Sequence, residues 1–296
     1  MIEKDGSMKR FVSRRVIRKG WSTDRKLCVT DGDGIKYLMR LSAEDTHAAK
    51  EREFRMMQRV AALGIPMCKP LEFGVCEEGV YSLQEWIEGE DLEAVIAAMP
   101  EDRQYFYGEM AGRYLKRMHG IPAPKDVPDW AVYFNEKMDR KIRAYEECPL
   151  SYEGGEAFVA YLQANRDALL DRPQCFQHGD YHVGNMMLDE KGRLVVIDFN
   201  RWSYGDPWEE FNRIVWSAQA APAFARGMVD GYFAGEVPME FWRLLALYIA
   251  SNTLGSLPWA ISFSKKEVAV MKKQAAQVLS WYEGMTRIIP AWYQKT

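Results

Sequence analysis

Two short blocks constrain this 296-residue chain more than anything else in it. Gln177-His178-Gly179-Asp180-Tyr181-His182-Val183-Gly184-Asn185 sets an aspartate and an asparagine five apart on what reads as a loop. Leu194-Val195-Val196-Ile197-Asp198-Phe199 reads as an apolar strand ending in a second carboxylate, and Met186-Met187-Leu188 with a turn at Asp189 to Gly192 joins the two blocks. Three oxygen-bearing side chains are therefore expected at one place. Oxygen donors of this kind suit magnesium bridging phosphates, and a further carboxylate can orient and accept the proton of an attacking hydroxyl. Asp180 fits the proton-accepting role, while Asn185 and Asp198 fit the metal. Either triplet alone would arise by chance; the ordered pair with an apolar strand between them seldom would.

The remaining composition narrows the setting. A chain of this length exceeds the usual single core, so one large α/β unit or two lobes sharing a cleft is expected. Hydrophobic content of 48%, charged content of 27% and a net charge of -3 describe an ordinary globular protein and suggest no nucleic-acid partner. Basic residues cluster at Lys9-Arg10 and Arg14-Arg15-Val16-Ile17-Arg18-Lys19, where alternation with apolar residues reads as a solvated strand face. Cys28, Cys68, Cys76, Cys148 and Cys175 are odd in number and never form C-x-x-C, which predicts reduced, buried thiols. No apolar run is expected to reach membrane-spanning length, and Met1 to Arg10 is too polar for a signal peptide, so the cytoplasm is the default expectation.

Along the chain, strands are predicted at Phe11 to Ile17, Lys26 to Thr30 and Ile35 to Leu41, with Asp31-Gly32-Asp33-Gly34 as a hairpin turn. A helix over 43 to 63 follows, with Phe54, Met57, Val60 and Ala61 at helical spacing and Gly64 and Pro66 as its stop. Strands at Lys69 to Val75 and Val80 to Trp86 complete this part. From Asp91 the pattern turns to long amphipathic helices, the clearest from Arg103 to Met118, and 236 to 293 also reads as helical. The reading is a small strand-rich lobe over residues 1–88 followed by a larger helical lobe over 89–296.

The combination H-x-D-x-x-x-x-N with a downstream Ile-Asp-Phe is the catalytic-loop and metal-loop signature of the kinase fold, and this version resembles the aminoglycoside phosphotransferase family. Gly179 stands where protein kinases carry arginine, and Asn200 replaces the glycine of their D-F-G. Only seven residues separate Asp198 from Asp206-Pro207-Trp208-Glu209, too few for a peptide-docking activation segment. The resemblance spans about residues 10 to 220. It implies an α+β, bilobal, protein-kinase-like fold with an N-terminal antiparallel sheet, one main helix and a larger, mostly helical C-terminal lobe. It also implies a magnesium-dependent phosphotransferase moving the γ-phosphate of ATP or GTP to a small-molecule hydroxyl. His178 is implied to organise the loop and Glu210 to support it. Asp206 with Glu209 reads as a capping box.

For the nucleotide, the resemblance places the phosphate loop at Gly20 to Lys26, with Ser22 and Thr23 as donors, and a strand cation at Arg40. Arginine there departs from the family's lysine, although choline kinases share it; Lys36 is the alternative on the same strand face. Glu53 matches the carboxylate that pairs with the strand cation, and the backbones of Glu85 and Ile87 match the hinge that binds the base. A polycationic aminosugar acceptor would require carboxylates, for which Glu101, Asp102, Glu146, Glu147, Glu153 and Glu156 are candidates. Trp202, Tyr204, Trp208, Trp216, Trp259 and Trp281 pack a core or, by cation–π attraction, face a quaternary ammonium such as choline. A choline-like or other metabolite kinase, and a nucleotide-binding pseudokinase without turnover, stand as alternatives.

Overall fold

The computed structural model describes residues 9–18 and 23–294. In chain order the strands and helices are β1 (Phe11–Ile17), β2 (Arg25–Asp31), β3 (Lys36–Ser42), α1 (His47–Ala61), β4 (Pro70–Cys76), β5 (Gly79–Glu85), β6 (Gly89–Asp91), α2 (Leu92–Val95), α3 (Glu101–Met118), α4 (Trp130–Glu146) and α5 (Glu156–Ala164). There follow β7 (Cys175–Gln177), β8 (Met186–Asp189), β9 (Leu194–Val196), β10 (Ser203–Gly205), α6 (Ile214–Ala220), α7 (Pro222–Phe233), α8 (Met239–Ile261) and α9 (Lys265–Trp281). The chain forms two compact units, one from residues 1–92 and 185–200, the other from 93–184 and 201–296.

The first unit holds a five-stranded antiparallel sheet in the order β1-β2-β3-β5-β4. Period-two alternation turns Phe11, Leu27, Val29, Met39, Leu41, Tyr81 and Leu83 into one buried cluster. The exposed residues of β1 carry the basic run, where Arg14 pairs with Glu78 at 3.1 Å, as a solvated face should. Between β2 and β3, Asp31 Oδ1 accepts the N–H groups of Asp33 and Ile35 at 3.0 and 2.9 Å, and Gly34 supplies the positive φ of 82° that closes the turn. The helix α1 buries Phe54, Met56, Met57 and Val60 and packs on β4 and β5. A smaller sheet in the order β6-β8-β9 completes this unit. Its β9 is tied to the segment after α1 by Val196 N–H donating to Pro66 O at 3.0 Å and Cys68 N–H to Val196 O at 3.2 Å.

The second unit is helical around α8, which packs against α4, α5 and α9 and buries Phe241, Trp242, Leu244, Leu245, Tyr248 and Ile249. By length and composition α8 is long and apolar enough to cross a membrane, contrary to the sequence expectation that no run is; 67% of that window is buried inside the protein. The cysteines are unpaired, with Cys28, Cys68, Cys76 and Cys175 buried and Cys148 partly so. The closest helix contact joins α3 and α7 through glycines. A Cβ at Gly108 would lie 2.1 Å from Phe224 O and one at Gly112 2.1 Å from Met228 O, and Gly227 and Gly231 meet α3 backbone in the same way. Four-residue spacing puts each glycine pair on one helix face, so the two backbones touch.

Helix propensity alone favours Gly112→Ala by about 1 kcal/mol, whereas overpacking costs about 1–3 kcal/mol and here the obstacle is backbone that cannot rotate away. Gly112→Ala is therefore expected to lower the melting temperature by several degrees, while Gly32→Ala, with open space around it, leaves it nearly unchanged. Thermal unfolding of both variants checks this; a stabilised Gly112 variant would contradict the close contact.

Candidate active site

In the first unit, the hairpin β8–β9 sets the two expected metal ligands in register. Met186 pairs with Val196, and one step beyond, Ile197 N–H donates to Asn185 O at 3.0 Å, so Asn185 and Asp198 sit at the same end of the hairpin. The tight turn at the other end fixes that register. Asp189 accepts the N–H groups of Lys191 and Arg193 at 3.0 and 2.8 Å, and Arg193 Nε returns to its carboxylate at 2.7 Å. Asp198 itself has φ of 66°, in the left-handed region that a non-glycine residue occupies only when its surroundings hold it there.

Arg40 is 4% exposed on β3 and donates from Nη1 to Asp198 Oδ1 at 2.6 Å and from Nε to Asp24 Oδ2 at 3.2 Å. Asp24 also accepts from Ser42 Oγ at 2.8 Å and from Lys50 Nζ at 2.7 Å, and Lys50 continues to Glu53 Oε2 at 3.1 Å. The result is an alternating chain of charge, Asp198–Arg40–Asp24–Lys50–Glu53. Burial alone would push the Asp24 carboxyl up, but the bonds and charges of Lys50, Ser42 and Arg40 outweigh it and hold Asp24 below its ordinary value. Burial likewise opposes the charge on Arg40, and Asp198, Glu53 and Asp24 more than restore it. Glu53 thus reaches the strand cation through its field, with Lys50 as its hydrogen-bonded partner. Lys36, the alternative cation, is exposed and pairs with Glu88 at 2.5 Å.

Of the other nucleotide candidates, Ser22 lies outside the described residues and Thr23 is exposed. Glu85 ends β5, its N–H donating to Lys69 O at 2.9 Å, and Ile87 follows in an extended segment, half-buried. One amide and one carboxylate oxygen at the hairpin end fit a magnesium ion whose remaining ligands are phosphate oxygens and water. Asp24 and Lys50 were not singled out by the sequence reading. The Lys50–Glu53 spacing of three marks a shared helix face, but only the fold shows that the face points inward.

In the second unit, Asp180 is carried by the loop after β7. Gly179 has φ of 82°, and a Cβ there would lie 2.0 Å from Arg201 O, so only glycine fits. Glu210, 1% exposed, accepts the N–H of Gly179 at 3.0 Å and that of Tyr181 at 3.3 Å. Buried His178 accepts the Asp180 N–H on Nδ1 at 3.3 Å, the organising part expected of it. Tyr181 OH donates to Ala111 O at 2.7 Å and anchors the loop to α3. Asp180 keeps 19% of its side chain exposed. Burial would raise its carboxyl, but Arg213, His182 and Arg201 together hold it below its ordinary value. His182 is pushed down to about 4 by its own burial and is neutral at pH 7, whereas the Arg213 and Arg201 guanidiniums beside Asp180 stay charged.

The capping-box reading holds in part. Asp206 Oδ1 accepts the Trp208 N–H at 2.8 Å, but its carboxylate is fully buried and held by Arg172 at 2.6 Å and Tyr248 OH at 2.7 Å. Glu209 turns away to Lys137 at 3.1 Å and Gln177 at 3.1 Å. The six carboxylates considered for a polycationic acceptor are exposed, with Glu101, Asp102 and Glu156 in the first turns of helices and Glu146 and Glu147 at the end of α4. Among the aromatics, the Trp208 face is taken by Arg172 at 3.9 Å, and Trp202 stacks on Phe176 at 6.4 Å. These two serve packing.

Comparison with known proteins places the site in a family. The family model described as "phosphotransferase enzyme family" (APH) matches residues 13–242, and the chain belongs to that family. It is a small-molecule phosphotransferase. No curated protein matches the chain. Among solved structures it resembles a choline/ethanolamine kinase family protein from Mesorhizobium loti, with a TM-score of 0.68 and 15% identity over 96% of this chain and 94% of that one. It also resembles wild-type aminoglycoside 2'-phosphotransferase-IIIa in its GDP complex, with a TM-score of 0.66 and 14% identity over 91% and 93%. A thermostable aminoglycoside phosphotransferase APH(4)-Ia bound to ADP and hygromycin B gives 0.63 and 16% over 91% and 94%. At such identities the likeness establishes the fold.

Burial, helped by the charge of Glu209, raises the Glu210 carboxyl to about 8 against the opposing N–H bonds of the loop. A carboxyl whose folded pKa exceeds its unfolded value stabilises fully at low pH and loses that contribution as pH rises through the folded value. Wild-type stability is therefore expected to fall between about pH 5 and pH 8, and Glu210→Gln to flatten this slope. Glu210→Ala, which strips the Gly179 and Tyr181 N–H groups of their acceptor, is expected to cost about 1–3 kcal/mol at any pH. Melting curves across that pH range test both; parallel curves for wild type and the glutamine variant would count against the assignment.

Proposed function

We propose that the protein transfers the γ-phosphoryl group of ATP or GTP to a hydroxyl of a small molecule, with Asp180 as the residue that accepts the hydroxyl proton. As that proton moves to a carboxylate oxygen, the acceptor oxygen bonds to the γ-phosphorus, and the bond from phosphorus to the bridging oxygen breaks to leave the nucleoside diphosphate. Asn185 and Asp198 would hold magnesium, which when bound neutralises phosphate charge. The observation that carries this reading is the β8–β9 register, which sets an amide and a carboxylate at one hairpin end directly after a loop that presents Asp180.

Arg40 supports the nucleotide role in a specific way. Its guanidinium offers a planar fork that matches phosphate oxygens, and its current partner is the metal-loop carboxylate itself. We assign Arg40 to the α- and β-phosphates, with Asp24 holding the guanidinium on its Nε side. Thr23 and Ser22 would line the phosphate loop, and the Glu85 and Ile87 backbone would receive the base. The presence of all three residue types, Asp180, Asn185 and Asp198, in the sequence supports turnover over a pseudokinase role.

Asp180→Asn is expected to lower kcat by about 10²–10⁴-fold while leaving magnesium-dependent nucleotide binding intact. Asp198→Asn is expected to weaken binding of ATP in the presence of magnesium by at least about tenfold, with little effect on magnesium-free nucleotide. Calorimetry with ATP and GTP, with and without magnesium, separates the two; magnesium-independent binding by wild type would refute the metal-loop assignment.

A further inference from the structure

The surroundings of Asp180 within the second unit carry information about the acceptor. Arg213 Nε stands 3.3 Å from Asp180 Oδ1, and Arg201 Nη1 stands 3.7 Å from Asp180 Oδ2. Behind Arg213, Lys137 pairs with Glu209 at 3.1 Å. The Lys141 side chain lies over Gly255, close enough that a Cβ there would meet its Cε at 3.0 Å. Its burial and the charges of Lys137 and Arg213 bring its ammonium down to about 7, with Glu209 opposing. His182 is neutral at pH 7. Four basic side chains, from Arg201, Arg213, Lys137 and Lys141, therefore gather about the carboxylates of Asp180 and Glu209.

Both guanidiniums keep accessible surface beside the carboxylate. Arg213 Nε is buried against Asp180 at 3.3 Å, yet 24% of the Arg213 side chain and 45% of the Arg201 side chain stay exposed, so each can meet a second oxyanion arriving from solvent. An acceptor bearing ammonium groups would instead approach Asp180 between like charges. The carboxylates considered for such a polycation lie on exposed helix ends and a surface loop.

We propose that the acceptor is an anionic hydroxy compound, a carboxylate or phosphate ester whose oxyanion is gripped by Arg213 and Arg201 while a neighbouring hydroxyl is offered to Asp180. This deepens the kinase reading and rests on Asp180 as the proton acceptor. The carboxylate and the phosphate ester share the planar or trigonal oxygen pattern that guanidinium forks match, and the hydroxyl must lie within a few bonds of the anion.

The test is calorimetric binding to the full chain of D-gluconate, glycerol 3-phosphate, glucose, choline and kanamycin, each with magnesium and ADP present. Gluconate or glycerol 3-phosphate is expected to bind, and which of the two does so separates carboxylate from phosphate ester. Arg213→Gln and Arg201→Gln should each weaken that binding by at least about tenfold, the scale of one charge-assisted hydrogen bond. Asp180→Asn should tighten it, because the competing carboxylate charge is gone. Exposed Arg201 and Asp180→Asn keep the test sound should the Arg213 variant fail to fold. Binding of kanamycin or choline in place of the anions, anion binding indifferent to both arginine variants, or no anion binding at all would each overturn the proposal. Magnesium-dependent ATP binding, measured on the same samples, tells whether the broader kinase reading survives such a failure.

Discussion

The loop that carries Asp180 depends on one buried carboxyl group. Glu210 takes the N–H groups of Gly179 and Tyr181, and burial makes each of those bonds worth more than it would be in water. With those two peptide units fixed, the direction of Asp180 between them is fixed as well. Gly179 makes the arrangement possible, because its left-handed backbone brings the loop against Arg201 O without a side chain in the way. Part of the grip is local to residues 177–213, and the bond from Tyr181 OH to Ala111 O ties the same loop to α3.

The nucleotide half rests on a different device, charge alternation. Five ionisable groups, from the segment after β9, β3, the bend before β2 and α1, neutralise one another in sequence, from Asp198 through Arg40, Asp24 and Lys50 to Glu53. A buried charge is tolerable only when paired, and every interior member of this series has an opposite charge on each side. On the role proposed for Arg40, arriving phosphates would compete with carboxylates for it, so nucleotide entry would be an exchange of anionic partners and not the filling of a bare cationic hole.

Much of this was legible in the sequence. The strands of the five-stranded sheet, α1 and α3 end within four residues of their predicted bounds, and β1 matches at both ends, because period-two and period-3.6 patterns coincide with glycine and proline stops. The Asp180, Asn185 and Asp198 blocks could be read because the chemistry is packed into short windows. The inclusion of residues 185–200 in the first unit could not, since it follows from β6 pairing with β8 and from β9 bridging Met67, both long-range pairings. Asp24, Lys50, Arg201 and Arg213 were also missed. Each is an unremarkable charged residue until the fold places it beside another, and Glu209 looked like a capping residue because its spacing from Asp206 was right while its side chain had a better partner in Lys137.

The contact between Gly179 and Arg201 has one further consequence. What the glycine touches is the carbonyl of Arg201, a group every amino acid possesses, whereas the guanidinium of the same residue is exposed beside the Asp180 carboxylate. On the proposed reading, the peptide frame and the group that meets the acceptor are thus separable at a single position. Redesign of acceptor preference would begin there, since exchanging that side chain alters the charge beside Asp180 and leaves the frame of its loop in place.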